Sequence, residues 1–246
     1  MNTQSHNSSN KCVPSRAGVW ALAPDLAKAT DPRRKMNQTD TLLRCKKVSK
    51  ISSFNVRTLR SVKQASELTA SASQFGIDVI CIQEHRILHS DTRLLSSNLG
   101  NGWTLLHASA TKNSTNGTIG GVGMLLSLRA QNALISVEVI SSRTITATFS
   151  GNPRTTVISC YSPTNVSDEQ EVIHFYDDLS SLIRAIPKHN LLILGGDFNA
   201  QLGVDEYHKY AFHTATNRNG EHLRHFLIEN DLICLNTRFQ KKKGKL

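Results

Sequence analysis

The residues of this chain best suited to chemistry are acids and amides placed at the ends of apolar runs. Leu191-Leu192-Ile193-Leu194-Gly195-Gly196-Asp197-Phe198-Asn199 drives four aliphatic residues into two glycines, an Asp and an Asn. Val79-Ile80-Cys81-Ile82-Gln83-Glu84 is a second apolar run that delivers an acid at its C-terminal end. Hard cations such as Mg²⁺ are usually held by one or two carboxylates while keeping several waters. Phosphoester hydrolysis needs such a cation, a positioned base for water, and donors for developing charge. Glu84 and Asp197, with the amides of Asn55 and Asn199, supply those residue types. Taken singly, each has a plainer reading. A Glu at a strand end is usually solvated, and Asp-X-Asn is often a turn in which both side chains bond their own backbone. Tyr161-Ser162-Pro163-Thr164-Asn165 reads equally well as a turn.

The elements that must position these residues follow from the pattern. Short apolar runs bounded by turn residues read as strands. On that basis strands are expected at 51–56, 78–84, 103–109, 121–127, 134–140, 143–150, 155–161, through the Leu191 run, and at 232–235. Gly195 and Gly196 are expected to end their strand and let the chain turn closely. Apolar or small residues at Leu59, Val62, Ala65, Leu68, Ala72 and Phe75 predict a helix over 57–75, with Gly76 as its stop. A second helix is expected over 168–186, capped by Ser167, begun by Asp168, Glu169 and Glu171, and ended by Pro187. A third is expected over 219–229, and 111–121 reads as a loop. Several strands in succession between helices do not alternate as a doubly wound parallel sheet does. They predict an α+β fold, two packed β-sheets forming a sandwich with flanking helices outside.

Composition bounds the rest. A chain of 246 residues can bury a sizeable core in one domain. No stretch approaches the ~18 apolar residues of a membrane span, and the first thirty residues hold no continuous apolar run of the secretory type. The five cysteines are odd in number and widely spaced, and no pair has zinc-ligand spacing. Buried thiols in a reducing compartment, nuclear or cytoplasmic, are expected. The net charge of +10 is uneven: residues 1–60 carry 12 Lys/Arg against 3 Asp/Glu, and the last six carry four lysines. Residues 1–47, rich in polar residues and broken by Pro14, Pro24 and Pro32, read as a disordered basic arm preceding a domain over 48–246. Basic ends suit a polyanion such as nucleic acid as well as they suit a solvated tail.

Order and context sharpen the chemistry. Asn55 closes a first strand, Gln83-Glu84 follows an apolar run, then come Tyr161-X-Pro-X-Asn165 and Gly196-Asp197-Phe198-Asn199. This succession resembles the endonuclease/exonuclease/phosphatase superfamily, which includes pancreatic-type DNases and apurinic/apyrimidinic endonucleases. Within it, Phe54-Asn55-Val56-Arg57-Thr58-Leu59, Gln83-Glu84-His85-Arg86, Asn219-Gly220-Glu221-His222-Leu223 and Leu235-Asn236-Thr237-Arg238-Phe239 resemble non-LTR retrotransposon endonuclease domains and craniofacial development protein 2-like proteins. The resemblance implies a four-layer, DNase-like sandwich and a phosphodiesterase that uses Mg²⁺ (or Mn²⁺) on DNA. Glu84 would be the main metal carboxylate with Asn55 beside it. Asp197 would orient the attacking water, Asn199 would hydrogen-bond the phosphate, and Tyr161 would contact the phosphate or the leaving oxygen. His85 has no such role at its position and reads as a neighbour of the metal carboxylate.

The family pattern continues with a Trp-rich strand, an Asp-bearing strand and a terminal Ser-Asp-His, and no Ser-Asp-His occurs here. The resemblance therefore implies a domain missing its C-terminal strands and a site without its imidazole, a group whose acid–base role is typically worth ~10²–10⁴-fold. A nucleic-acid-binding remnant, or less favourably a phosphoinositide-type phosphatase, stands beside the nuclease reading.

Overall fold

The computed structural model describes residues 41–44, 47–59, 61–90, 94–205 and 208–240. The expected basic ends lie almost wholly outside these residues. The order is β1 (Ile51–Asn55), α1 (Val62–Gln74), β2 (Val79–Gln83), β3 (Leu95–Asn98), β4 (Thr104–His107), β5 (Thr111–Lys112), β6 (Thr118–Ile119), β7 (Val122–Leu126), α2 (Leu128–Ala133), β8 (Leu134–Ser141), β9 (Thr144–Phe149), β10 (Thr155–Tyr161), α3 (Glu169–Ala185), β11 (Leu191–Asp197) and α4 (Arg218–Glu229). A 3₁₀ turn covers Leu235–Thr237. One sheet runs β1-β2-β7-β4-β3 and the other β11-β10-β9-β8, with β5-β6 a separate hairpin.

The period-two alternation of the strands sorts their side chains into layers. In β2, Val79 and Cys81 join a central core with Met124, Ile145, Phe149 and Val157. Ile80 and Ile82 face the other way, against Leu59, Ala65, Ala72 and Trp103. On the far sheet, Ile158 and Cys160 pack under Val172, Phe175 and Leu179 of α3 and Leu223 and Phe226 of α4. The result is helix, sheet, sheet, helix, as the α+β sandwich expectation requires.

Two close approaches hold the layers. A Cβ on Gly195 would sit 2.7 Å from Cys81 Sγ on the opposite sheet, and one on Gly196 would sit 2.6 Å from the Cys160 carbonyl beside it. These glycines therefore do not end their strand, because β11 continues through them to Asp197. They are there for contact rather than for a turn.

Other expectations are corrected. α1 starts at Val62, not at residue 57, because Arg57 and Thr58 have positive φ (48° and 136°) and Ser61 caps the helix by accepting from Gln64 N–H at 3.3 Å. Asp168 rather than Ser167 caps α3, its Oδ1 accepting from Gln170 N–H at 2.8 Å. The 111–121 loop contains a hairpin, and 232–235 is not a strand. Leu42, placed by the sequence reading in the arm, is fully buried in the central core. Its N–H donates to the Ser150 carbonyl at 2.8 Å.

Candidate active site

Each sheet contains one parallel strand pair. Parallel neighbours need a crossover, normally a helix, and here α1 links β1 to β2 and α3 links β10 to β11. Register places Asn55 beside Gln83 and Tyr161 beside Asp197. Ser53 of β1 lies against Gly195 of β11, so the C-terminal ends of both pairs meet at one end of the sandwich.

There the side chains interlock. The Asn55 amide donates to Glu84 Oε1 and to Asp197 Oδ2, each at 2.8 Å, bridging residues 142 apart in sequence. Tyr161 Oη donates to the same Glu84 Oε1 at 3.1 Å, and Arg86 donates to Glu84 Oε2 at 3.0 Å. Asn199 N–H donates to Asp197 Oδ1 at 3.0 Å, the Asx-turn bond. Asn199 Nδ2 donates to the Ser162 carbonyl at 2.9 Å. The plain turn reading of Asp-X-Asn thus holds while the same residues join the cluster. All five candidates, Asn55, Glu84, Tyr161, Asp197 and Asn199, converge.

Glu84 and Asn199 both occupy the left-handed region, at φ 56° and 46°. A non-glycine residue there costs of order 1–2 kcal/mol and persists only where its surroundings over-determine it. For Glu84 the surroundings are clear. His85 is fully buried; its Nε2 is 3.2 Å from the Val122 carbonyl, and its Nδ1 accepts from Ile87 N–H at 3.0 Å. Gly121 makes room, since a Cβ there would strike the imidazole at 2.5 Å. His85 is a peg beside the site rather than a base within it, and burial pushes its pKa down to about 4.

Burial would raise the Glu84 carboxyl, but hydrogen bonds from Asn55, Arg86 and Tyr161, with the Arg86 charge, outweigh it and hold Glu84 below its ordinary value. Burial, then the neighbouring Glu84, raises the Tyr161 phenol, which stays protonated as a donor. Arg143 lies 5.8 Å from the centre of the Tyr161 ring and ion-pairs with Glu171 at 2.6 Å.

Two carboxylate oxygens turned toward one positively polarised amide group are the arrangement a hard divalent cation would stabilise. Among the described residues no three His, Cys, Asp or Glu side chains gather as a metal cluster. The donor set fits a cation that keeps several waters, as Mg²⁺ does. A cleft of about 730 Å³ opens beside Asn55, Asp197 and Asn199 and runs along the free edges of β1 and β11 toward Phe212 and Asn236.

Sequence reasoning gave no role to Asn219 or Arg86. Asn219 is fully buried, its amide donating to the Pro163 carbonyl at 2.9 Å and to the Asn199 carbonyl at 3.2 Å. It fastens the Tyr161 and Asp197 loops to the start of α4. The available signal was an Asn-Gly pair at a helix start, with Gly220 in close contact with the Gln201 carbonyl.

Known proteins resemble this chain in sequence and in fold. Craniofacial development protein 2 of Bos taurus is 35% identical over 130 residues, covering 51% of this chain and 22% of that protein's length. The same protein of Tragulus javanicus is also 35% identical, over 51% of this chain and 23% of its own length. The chain therefore spans less than a quarter of these relatives. Among solved structures, the AP endonuclease LMAP of Leishmania major superposes with a TM-score of 0.52 at 12% identity, covering 85% of this chain and 78% of that one. An AP endonuclease of Archaeoglobus fulgidus gives 0.52 at 18% identity, over 74% and 70%. At such identities the superpositions speak for the fold alone. The model of the Endonuclease/Exonuclease/phosphatase family matches residues 52–236, from β1 to the 3₁₀ turn. The match covers most of the chain and every strand described above, and the chain belongs to that family.

Proposed function

We propose that this domain is a divalent-cation-dependent phosphodiesterase of the endonuclease type acting on DNA, related to retrotransposon endonucleases. The observation that carries the reading is the Asn55 amide held at 2.8 Å from both Glu84 and Asp197. It draws acids of two sheets onto one point beside an open cleft. The solved neighbours include a 3' phosphatase NExo from Neisseria bound to a product DNA hairpin, with a TM-score of 0.50 at 16% identity over 72% of this chain and 70% of that one. The DNA bound by that neighbour supports DNA as the substrate class to test first.

Glu84 and Asn55 would hold the cation, which supplies Lewis-acid polarisation of the phosphate. Asp197, held by the Asn55 amide at 2.8 Å, would orient the attacking water and accept its proton. Tyr161 and Asn199 offer donors to a phosphate oxygen as charge develops. Purified protein incubated with supercoiled plasmid and Mg²⁺ should produce nicked circles, and Asp197→Ala should abolish them. Equal nicking by both proteins sinks the site assignment. Inactivity of both, with salt-sensitive DNA binding retained, would leave a nucleic-acid-binding domain instead.

A further inference from the structure

Arg86 stands out because its place is over-determined and its charge is only partly used. Its backbone adopts φ 54°, two residues after the left-handed Glu84, with the buried His85 ring pinned between them. Its N–H donates to the Gly120 carbonyl at 3.1 Å, fixing it against the base of the β5-β6 hairpin. Both side chains therefore leave the peg toward the site end, and the guanidinium meets Glu84 Oε2 at 3.0 Å. The other carboxylate oxygen, Oε1, already takes Asn55 and Tyr161. Arg86 thus covers the Glu84 oxygen left free of those two donors. The guanidinium carries five donors in a planar fork suited to phosphate. Among the described residues its side chain makes this one hydrogen bond, and it is 39% exposed against 17% for Glu84.

A positive group on a cation-binding carboxylate competes with the cation for the same charge. We infer that Arg86 is an exchangeable counter-ion. Its guanidinium holds Glu84 Oε2 while no divalent cation is bound, and passes to a phosphate of the nucleic-acid backbone when one is. The inference rests on the proposed metal role of Glu84 and adds a phosphate-binding residue to that site. It also explains why an arginine, which stays charged and grips phosphate through two bonds, sits on an acid that the reaction would otherwise need uncovered.

The test measures binding rather than turnover. Mn²⁺ affinity of the full chain is read from the free-ion paramagnetic resonance signal for native protein, Arg86→Ala, Arg86→Lys and Glu84→Gln. Affinity for a fluorescent phosphorothioate duplex is read by anisotropy with and without Mn²⁺. Arg86→Ala should bind Mn²⁺ roughly three- to fivefold more tightly, the scale of a partly exposed ion pair. It should also lose most of the gain in duplex affinity that Mn²⁺ gives the native chain. Arg86→Lys, which keeps the charge and is the safer variant for folding, should retain native Mn²⁺ affinity and lose part of that gain. Unchanged or weaker Mn²⁺ binding by a folded Arg86→Ala protein overturns the counter-ion role. Tighter Mn²⁺ binding with the duplex gain intact overturns the phosphate role. No difference in Mn²⁺ binding between native protein and Glu84→Gln strikes the proposed metal site instead.

Discussion

Asn55 is the joint of the candidate site. One amide group touches two acids from different sheets, and its own Oδ1 accepts from Arg57 N–H at 3.0 Å, which fixes its rotation. Tyr161 is the complementary clamp on Glu84. Removing a hydrogen bond to a charged group costs about 1.5–3 kcal/mol, and 1.4 kcal/mol is tenfold in rate. Tyr161→Phe is therefore expected to slow Mg²⁺-dependent nicking at least tenfold in single-turnover assays and to lower thermal stability through the lost bond to Glu84. An unchanged rate would show that the phenol is scaffolding only. At this scale the sequence was informative about residues that end strands, since an acid or amide after an apolar run is visible. It was silent on Arg86 and Asn219, whose importance depends on which carbonyl or carboxylate lies opposite, and no one-dimensional pattern records that.

The elements were legible where a pattern is long and uninterrupted. β2, β7, β9, β10 and α3 all carry full apolar faces, and their placement follows from period alone. The errors fall on short or polar pieces. β3 is Leu95–Asn98 with the sequence LSSN, and α2 spans six residues. Pairing and packing, not local propensity, decide such segments. The helix start near Arg57 was missed because Leu59 continues the apolar period while the backbone there is still left-handed or extended. Gly195 shows how a correct residue can be read for the wrong reason. Its missing side chain admits Cys81 from the other sheet. Gly195→Ala should cost about 1–3 kcal/mol, the usual penalty for overfilling a packed interface, seen as a lower urea midpoint. Cys81→Ala in the same chain should restore part of the loss. A purely additive double variant would mean that the strain arises elsewhere.

At the scale of the whole molecule, the His85 peg belongs to a histidine cluster with His107 and the half-buried His89. The rings of His85 and His107 are 5.1 Å apart and those of His89 and His107 5.3 Å apart, each pair edge to face. Burial pushes the His85 pKa down to about 4, and burial with the two neighbouring imidazoles pushes His107 to about 3. Unfolded histidines protonate near 6.5, so below that pH the unfolded chain binds more protons than the native one. Stability is then fully present above about pH 6.5 and falls as pH drops toward 4 and 3. Each group contributes up to about 1.4 kcal/mol per pH unit within its window. The urea midpoint should fall between pH 7 and pH 5, and His107→Leu should show a shallower fall. Identical slopes would remove His107 from the account.

The Asn55 amide also has a consequence at this scale. It spans the seam between the sheets, so the geometry of the candidate site and the docking of the sheets are one measurement taken at two places. A slip of β11 against β1 would stretch the 2.8 Å bond from the Asn55 amide to Asp197. An intact Glu84–Asn55–Asp197 junction is therefore a gauge of how well the two sheets are seated.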